Sequence, residues 1–459
     1  MATSRTAETM DATKKEPRSM AIAKEAEDLL SRLAKAEATV KAAESLSAFN
    51  EGERAAAAIV EEKEKQAAAI PLTTPRDISA FEERSLRKAM TECRCIFMAY
   101  ENQAVERLAE EFHSIHPSLL QMLPEMVKRF ETQRASIATN GQFLRAMVGS
   151  TADLPKSVEA SVLDACIPYV HGVLTQLRRE WCEEGKAERQ ASFAPILEAF
   201  ERALPKGSSI IVPGAGLGRL NWELSQRGYE AAGVERAMSM LIVGEHVLNT
   251  LLPKGQTVQF CPHAHEARGP CNVRYGSHLG RTLTAPDKEA MEAMKTATAT
   301  ATKARVIAGD FETLSVRPEH RGGWDGVAMC FYVDACGDAI AAAKAARVAL
   351  RDGGILVCCG PLEYDGTNGA HSDERTLRLC GDELLLLLER MGFDILESRD
   401  VPCEYESDTL SMLRMKFECL FIVARKRVVK KTTMEAPSPA EQKADEEVEA
   451  ANTAAADVE

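Results

Sequence analysis

The chain has 459 residues, 45% of them hydrophobic, and a formal charge of −13, which allows two or three domains and a sizeable buried core. The acidic balance argues against an open nucleic-acid surface, which needs a basic patch. No apolar run approaches the roughly 20 residues that span a bilayer.

Residues 1–20 mix both signs of charge and lack an apolar centre, so no secretory signal is expected. Residues 1–76 are rich in Ala, Lys and Glu and read as a weakly packing, partly disordered arm. Between 77 and 200 the pattern is helical, with apolar residues at three- and four-residue spacing over 119–130 and again over 161–181. From residue 201 the rhythm changes. Short β-rich runs at 209–212, 230–234, 305–308, 324–333, 354–359, 394–399 and 417–424 alternate with helical stretches such as 339–350 and 381–390. Alternation of this kind predicts an α/β, Rossmann-like and mostly parallel sheet over 201–426. The last two runs have no full helix between them and predict an antiparallel pair at one edge.

Residues 251–303 interrupt that rhythm and read as an insertion. They contain Cys261-Pro262-His263-Ala264-His265 and Cys271. Cys and His are the usual zinc ligands, but the spacing matches no standard pattern, so no metal is assigned and the segment is read as a loop. Residues 427–459 read as a solvated, disordered tail. The thirteen cysteines are scattered, several in apolar strand-like runs. That pattern fits free thiols in a reducing compartment, the cytoplasm or nucleus.

The first chemical signal is Val212-Pro213-Gly214-Ala215-Gly216-Leu217-Gly218, between a strand and a helix. Glycines there let the backbone turn sharply and let a ligand approach the main chain. Glu235 ends the second strand about 20 residues on, where a carboxylate can accept hydrogen bonds from ribose hydroxyls. Together they indicate an adenosine-containing cofactor. Gly309-Asp310-Phe311 ends the third sheet strand and suits an adenine amino group and ring face. A dinucleotide enzyme would carry a second mononucleotide half, and no second glycine fingerprint is present. Methyl transfer from S-adenosylmethionine is therefore preferred to nicotinamide chemistry.

The string Ile211-Val212-Pro213-Gly214-Ala215-Gly216-Leu217-Gly218-Arg219-Leu220 with Trp222-Glu223 resembles the carnosine N-methyltransferase (N2227-like) family. So do Trp181-Cys182-Glu183-Glu184-Gly185-Lys186-Ala187-Glu188-Arg189, Cys330-Phe331-Tyr332-Val333-Asp334, Gly360-Pro361-Leu362-Glu363-Tyr364 and Asp408-Thr409-Leu410-Ser411-Met412. The resemblance implies cofactor contacts from Gln176, Arg179, Gly214, Glu235, Asp310, Phe311 and Cys330. It implies that Asp334 holds the substrate imidazole and is the residue central to catalysis. The alternative for Asp334, from the residues alone, is a helix N-cap. Asp365, Tyr405 and Phe417 fall at substrate-pocket positions. The chain departs from the family there, with Asp365 after Tyr364 where a His is usual, and Met415 and Phe417 where tyrosines are usual. The implied partner is a small-molecule or peptide imidazole such as carnosine. A protein histidine, or a non-catalytic binding module on the same fold, are the alternatives. The oligomeric state stays open, a homodimer included.

Overall fold

The computed structural model describes residues 75–149, 151–155, 160–265, 273–296, 305–336, 338–364 and 378–428. The arm up to residue 74, the tail from 429, Cys271 and Asp365 lie outside the described residues. The chain divides into two compact units, Met1–Ser85 and Leu86–Glu459. Of the first, the described part is the helical backbone from Pro75.

Among the described residues, six α-helices precede the sheet: α1 (Pro75–Ser114), α2 (Pro117–Met122), α3 (Glu125–Val148), α4 (Ala160–Asp164), α5 (Cys166–Trp181) and α6 (Lys186–Ala203). The periodic stretch 119–130 predicts one helix, but the structure breaks it at Leu123–Pro124. Proline has no N–H to continue the ladder and disfavours helical geometry in the residue before it, and Leu123 sits at φ −132°, ψ 69°. Leu119, Met122, Leu123 and Val127 are consequently exposed. The stretch 161–181 is likewise split, between α4 and α5.

The sheet comprises β1 (Ser209–Pro213), β2 (Glu230–Glu235), β5 (Arg305–Ala308), β6 (Trp324–Cys330), β7 (Leu350–Gly360), β8 (Phe393–Tyr405) and β9 (Met415–Lys426). Their order is β5-β2-β1-β6-β7-β9-β8. The first five are parallel, and β9 lies antiparallel to both β7 and β8, as the last two runs imply. Ile210, Ile211 and Val212 of β1 are buried, the continuous apolar run that a central strand covered on both faces requires. Helices α7 (Arg219–Gln226), α8 (Met238–His246), α10 (Phe311–Ser315), α11 (Ala339–Ala349) and α12 (Gly381–Arg390) connect the strands. Successive crossovers leave β1 in opposite directions, so a crevice opens at the carboxyl ends of β1 and β6, where ligands bind in open α/β sheets.

The 251–303 insertion differs from the loop expected. It contains an antiparallel pair, β3 (Val258–Phe260) and β4 (Leu283–Ala285), followed by α9 (Lys288–Thr296). Phe260, Ala264, Leu283, Ala285 and Ala290 share one apolar core with α3 and α5. Buried backbone there must find partners, and α3 supplies them. Asn140 accepts from the Cys261 N–H at 2.7 Å and donates to the Cys261 carbonyl at 2.9 Å. Ser136 donates to the Leu279 carbonyl at 2.8 Å.

Candidate active site

The glycine-rich loop leaves β1 and enters α7. Gly214 and Gly216 have φ +61° and +57°, a region that penalises any side chain with a Cβ. Space gives a second reason. A Cβ on Gly214 would stand 2.7 Å from the Tyr332 ring, and one on Gly216 would collide with the Glu180 carboxylate. Glu235 closes β2 beneath this loop and is almost fully buried. Its Oε2 accepts the Gly216 N–H at 2.9 Å, and its Oε1 accepts those of Arg236 and Ala237 at 2.8 Å each. Burial pushes this carboxyl above its usual range, and the three donors oppose that rise.

Opposite the loop, Asp310 caps α10, accepting from the Glu312 N–H at 3.1 Å and the Thr313 N–H at 3.3 Å. Phe311 is 2% exposed and meets Tyr332 edge-on at 6.3 Å. The Tyr332 hydroxyl donates to Glu312 at 2.8 Å. Burial, helped by Asp310 alongside, raises the Glu312 carboxyl to about 7.

These groups surround an open cleft of about 230 Å³. Gln176, Gly214, Gly216, Glu235, Asp310, Phe311, Glu312, Phe331, Tyr332 and Tyr405 are on its wall. Six residues expected from the sequence are thus brought together: Gln176, Gly214, Glu235, Asp310, Phe311 and Tyr405.

Three others stand further back. Arg179, buried in α5 four residues before Glu183, packs its guanidinium 4.7 Å from the Tyr405 ring centre and 5.5 Å from that of Phe331. Its Nε pairs with Glu188 at 3.2 Å, while its Nη2 is buried without a hydrogen bond among the described residues. The residue types alone read Gln176 and Arg179 as surface. The structure buries Arg179 instead. Cys330 ends β6 against the same guanidinium, and burial pushes its thiol up to about 11. Phe417 meets Phe331 edge-on at 6.2 Å, and Tyr405 lies 4.9 Å from Phe331.

Asp334 sits on the turn after β6, between the wall residues Tyr332 and Ala335, and accepts the Glu363 N–H at 3.3 Å. The N-cap alternative is overturned. Asp338 caps the following helix, accepting from Ile340 at 2.8 Å and Ala341 at 3.2 Å. Phe331, Tyr332 and Glu312 on the wall, and Glu180 behind it, carry no site role in the sequence reading. Glu312 lies two positions after Asp310, close enough in sequence to have been tested as a pair. Glu180 follows Gln176 by one helical turn and shares its face.

The Carnosine N-methyltransferase family model matches residues 157–428. The chain belongs to that family. The mouse carnosine N-methyltransferase is 28% identical over 343 residues, covering 71% of this chain and 82% of that protein. The protein of the same name from Schizosaccharomyces pombe is 27% identical, over 56% of this chain and 70% of its own length. Among solved structures, an S-adenosylmethionine-dependent methyltransferase from Methanosarcina mazei has a TM-score of 0.31 and 13% identity, over 50% of this chain and 97% of that one.

The family's cofactor is S-adenosylmethionine, and the site can be tested against it. Glu235, at the end of β2, suits ribose hydroxyls, and Asp310 with Phe311 suits an adenine edge and face. The buried, unsatisfied Nη2 of Arg179 suits a carboxylate. The residues fit the group.

Proposed function

We propose that this protein transfers a methyl group from S-adenosylmethionine to an imidazole nitrogen of a small histidine-containing peptide, carnosine being the first candidate. The observation that carries the reading is the convergence of Glu235, Asp310, Phe311 and the glycine-rich loop on one cleft, with the Asp334 turn beside it. S-adenosylmethionine supplies a methyl carbon made electrophilic by the sulfonium.

Gln176, Glu235, Asp310 and Phe311 bind and orient the adenosyl and amino-acid portions, with Arg179 and Cys330 behind the wall. Asp334 works on the acceptor. An imidazole attacks through the nitrogen that carries a lone pair, so its other nitrogen bears the hydrogen. A carboxylate accepting that N–H fixes the tautomer and stabilises the positive charge that develops on the ring. Phe331 and Tyr405 on the cleft wall, with Phe417 packed behind Phe331, exclude water and align the ring for in-line attack. Asp365, Tyr405 and Phe417 set which peptide fits. Phe417 and Met415 offer no hydroxyl, so this pocket favours a less polar acceptor flank than the usual tyrosines would.

Incubation with labelled S-adenosylmethionine and carnosine, free histidine, histamine and a histidine-containing protein peptide tests this. Label on the imidazole of carnosine is expected. Cofactor binding without transfer to any imidazole would leave a binding module on the same fold. All the described cysteines are free, which supports a reducing compartment, cytoplasm or nucleus, to be checked by imaging the tagged protein. Among the described residues no helix is long and apolar enough to cross a membrane.

A further inference from the structure

The amino end of a helix presents N–H groups without intrahelical partners and a partial positive charge. Where a glycine-rich turn leads into such a helix, nucleotide enzymes place phosphate there. This chain fills the position itself. Glu180, 2% exposed in α5, reaches the loop across 37 residues of sequence. Its Oε1 accepts the Leu217 N–H at 3.0 Å and its Oε2 accepts the Arg219 N–H at 2.9 Å. The intervening Gly218 N–H goes to the Ala215 carbonyl at 2.9 Å, and the Gly216 N–H goes to Glu235. Four consecutive amide donors, 216 to 219, are therefore taken by acceptors of the protein, two of them carboxylates. An incoming phosphate would find negative charge and no donor. The same Oε1 also accepts from the Gln176 side-chain amide at 2.5 Å, fixing a residue on the cleft wall.

We propose that Glu180 is a positioning and specificity residue of the cofactor site, holding the glycine-rich loop and Gln176 in place while reserving the cleft for a phosphate-free, cationic cofactor. This rests on S-adenosylmethionine being the cofactor. Glu180 acts through the loop and through Gln176. Its two oxygens each serve a backbone donor, so Gln, which offers one oxygen and turns an NH₂ toward an N–H, does not replace it. Asp keeps the charge but is one methylene short of spanning both donors.

The test is calorimetry of wild type, Glu180→Gln and Glu180→Asp with S-adenosylmethionine and with ADP as an anionic probe. Steady-state kinetics and melting curves accompany it. We expect Glu180→Gln to bind S-adenosylmethionine at least tenfold more weakly, with KM for it raised to match and kcat at saturation within about threefold of wild type. The ratio of S-adenosylmethionine to ADP affinity should fall at least tenfold, with Glu180→Asp in between. A folded Glu180→Gln with unchanged cofactor affinity and an unchanged ratio overturns the proposal. If that variant does not fold, Glu180→Asp is judged by the same measurements. If neither folds even with S-adenosylmethionine present, Glu180 serves stability alone and the proposal falls. Wild type that binds no S-adenosylmethionine would instead refute the cofactor reading itself, so the two failures are distinguishable.

Discussion

The two sides of the cleft are built differently. On the cofactor side, the loop, the end of β2 and α5 are tied by hydrogen bonds between buried groups, with Glu180 and Glu235 taking three loop amides between them. On the acceptor side, Phe331, just after β6, meets Tyr405 of β8 and Phe417 of β9 through ring contacts, and the Asp334 turn meets the segment after β7 through a single exposed hydrogen bond from Glu363 among those described. Hydrogen-bonded backbone fixes one geometry, because each misplaced buried donor costs its desolvation. Ring contacts of this kind tolerate exchange of one aromatic for another. The cofactor side should therefore resist substitution in sequence and in experiment, and the acceptor side should be where specificity changes. Of the chain's departures from the family pattern, Met415 and Phe417 lie on β9, on the acceptor side.

The largest expected effect is at Asp334. Asp334→Ala should leave S-adenosylmethionine affinity close to wild type while single-turnover methyl transfer falls by roughly 10²–10⁴-fold. Because Asp338 caps α11, the melting temperature should barely move. Normal turnover in the folded variant would remove Asp334 from the mechanism and leave the acceptor side without an acceptor for the imidazole N–H. Glu235→Ala sharpens the comparison from the other side. It removes a carboxylate that holds three amides, so cofactor binding should weaken by about 1–3 kcal/mol, read by calorimetry, with acceptor KM unchanged. Equal affinity would mean that the loop holds its shape without it.

A third test addresses what secures the acceptor side. His263 from the insertion meets Asp408 of the β8–β9 connection at 2.9 Å, both buried. Despite burial, bonding to His263, the Leu410 N–H and Arg281 holds the Asp408 carboxyl well below its usual range. His263→Ala should cost about 1–3 kcal/mol of stability by leaving part of a buried polar network unpaired. It should raise the acceptor KM more than the cofactor KM. A variant as stable as wild type would show that the insertion does not brace this connection.

Legibility in the sequence follows the same division. The glycine turn, Glu235 and Asp310-Phe311 lie within one strand–helix–strand rhythm, so local spacing identifies them. The sheet, with its antiparallel strands β8 and β9, was readable for the same reason. Glu180 was not readable, because its partners lie 37 and 39 residues away and a Glu in an amphipathic helix reads as solvent-facing. His263 and Asp408 are 145 residues apart. Nothing in Cys-Pro-His-Ala-His separates a metal-like motif from one whose histidines bind Asp408 and Tyr100. In sequence the insertion reads as a loop because its core-forming residues, Phe260, Leu283 and Ala290, are widely spaced and complete a core only together with α3 and α5.

The smallest expected effect lies where the two sides touch, at the hydrogen bond from Tyr332 to Glu312. Burial and the neighbouring Asp310 raise the Glu312 carboxyl to about 7, against 4.5 for a free side chain. Between those values the folded protein holds a proton that the unfolded chain has released. The associated stabilisation is therefore complete below about pH 4.5 and is lost as pH rises through 7. Glu312→Gln has the shape of the protonated form and cannot titrate. Melting temperatures of wild type and variant should be similar near pH 5. From pH 6 to 8 wild type should fall progressively behind, by a modest amount because the side chain is only half-buried. The same comparison with S-adenosylmethionine bound shows whether the proton matters to the cofactor side. A separation that grows on ligand addition places Glu312 in the adenine subsite, and one that is unaffected assigns it to the contact with Tyr332. A difference between wild type and variant that stays flat across pH 5–8 would mean that Glu312 is ionised throughout, and the coupling between the two sides would then have to run through the Tyr332 ring on Gly214 instead.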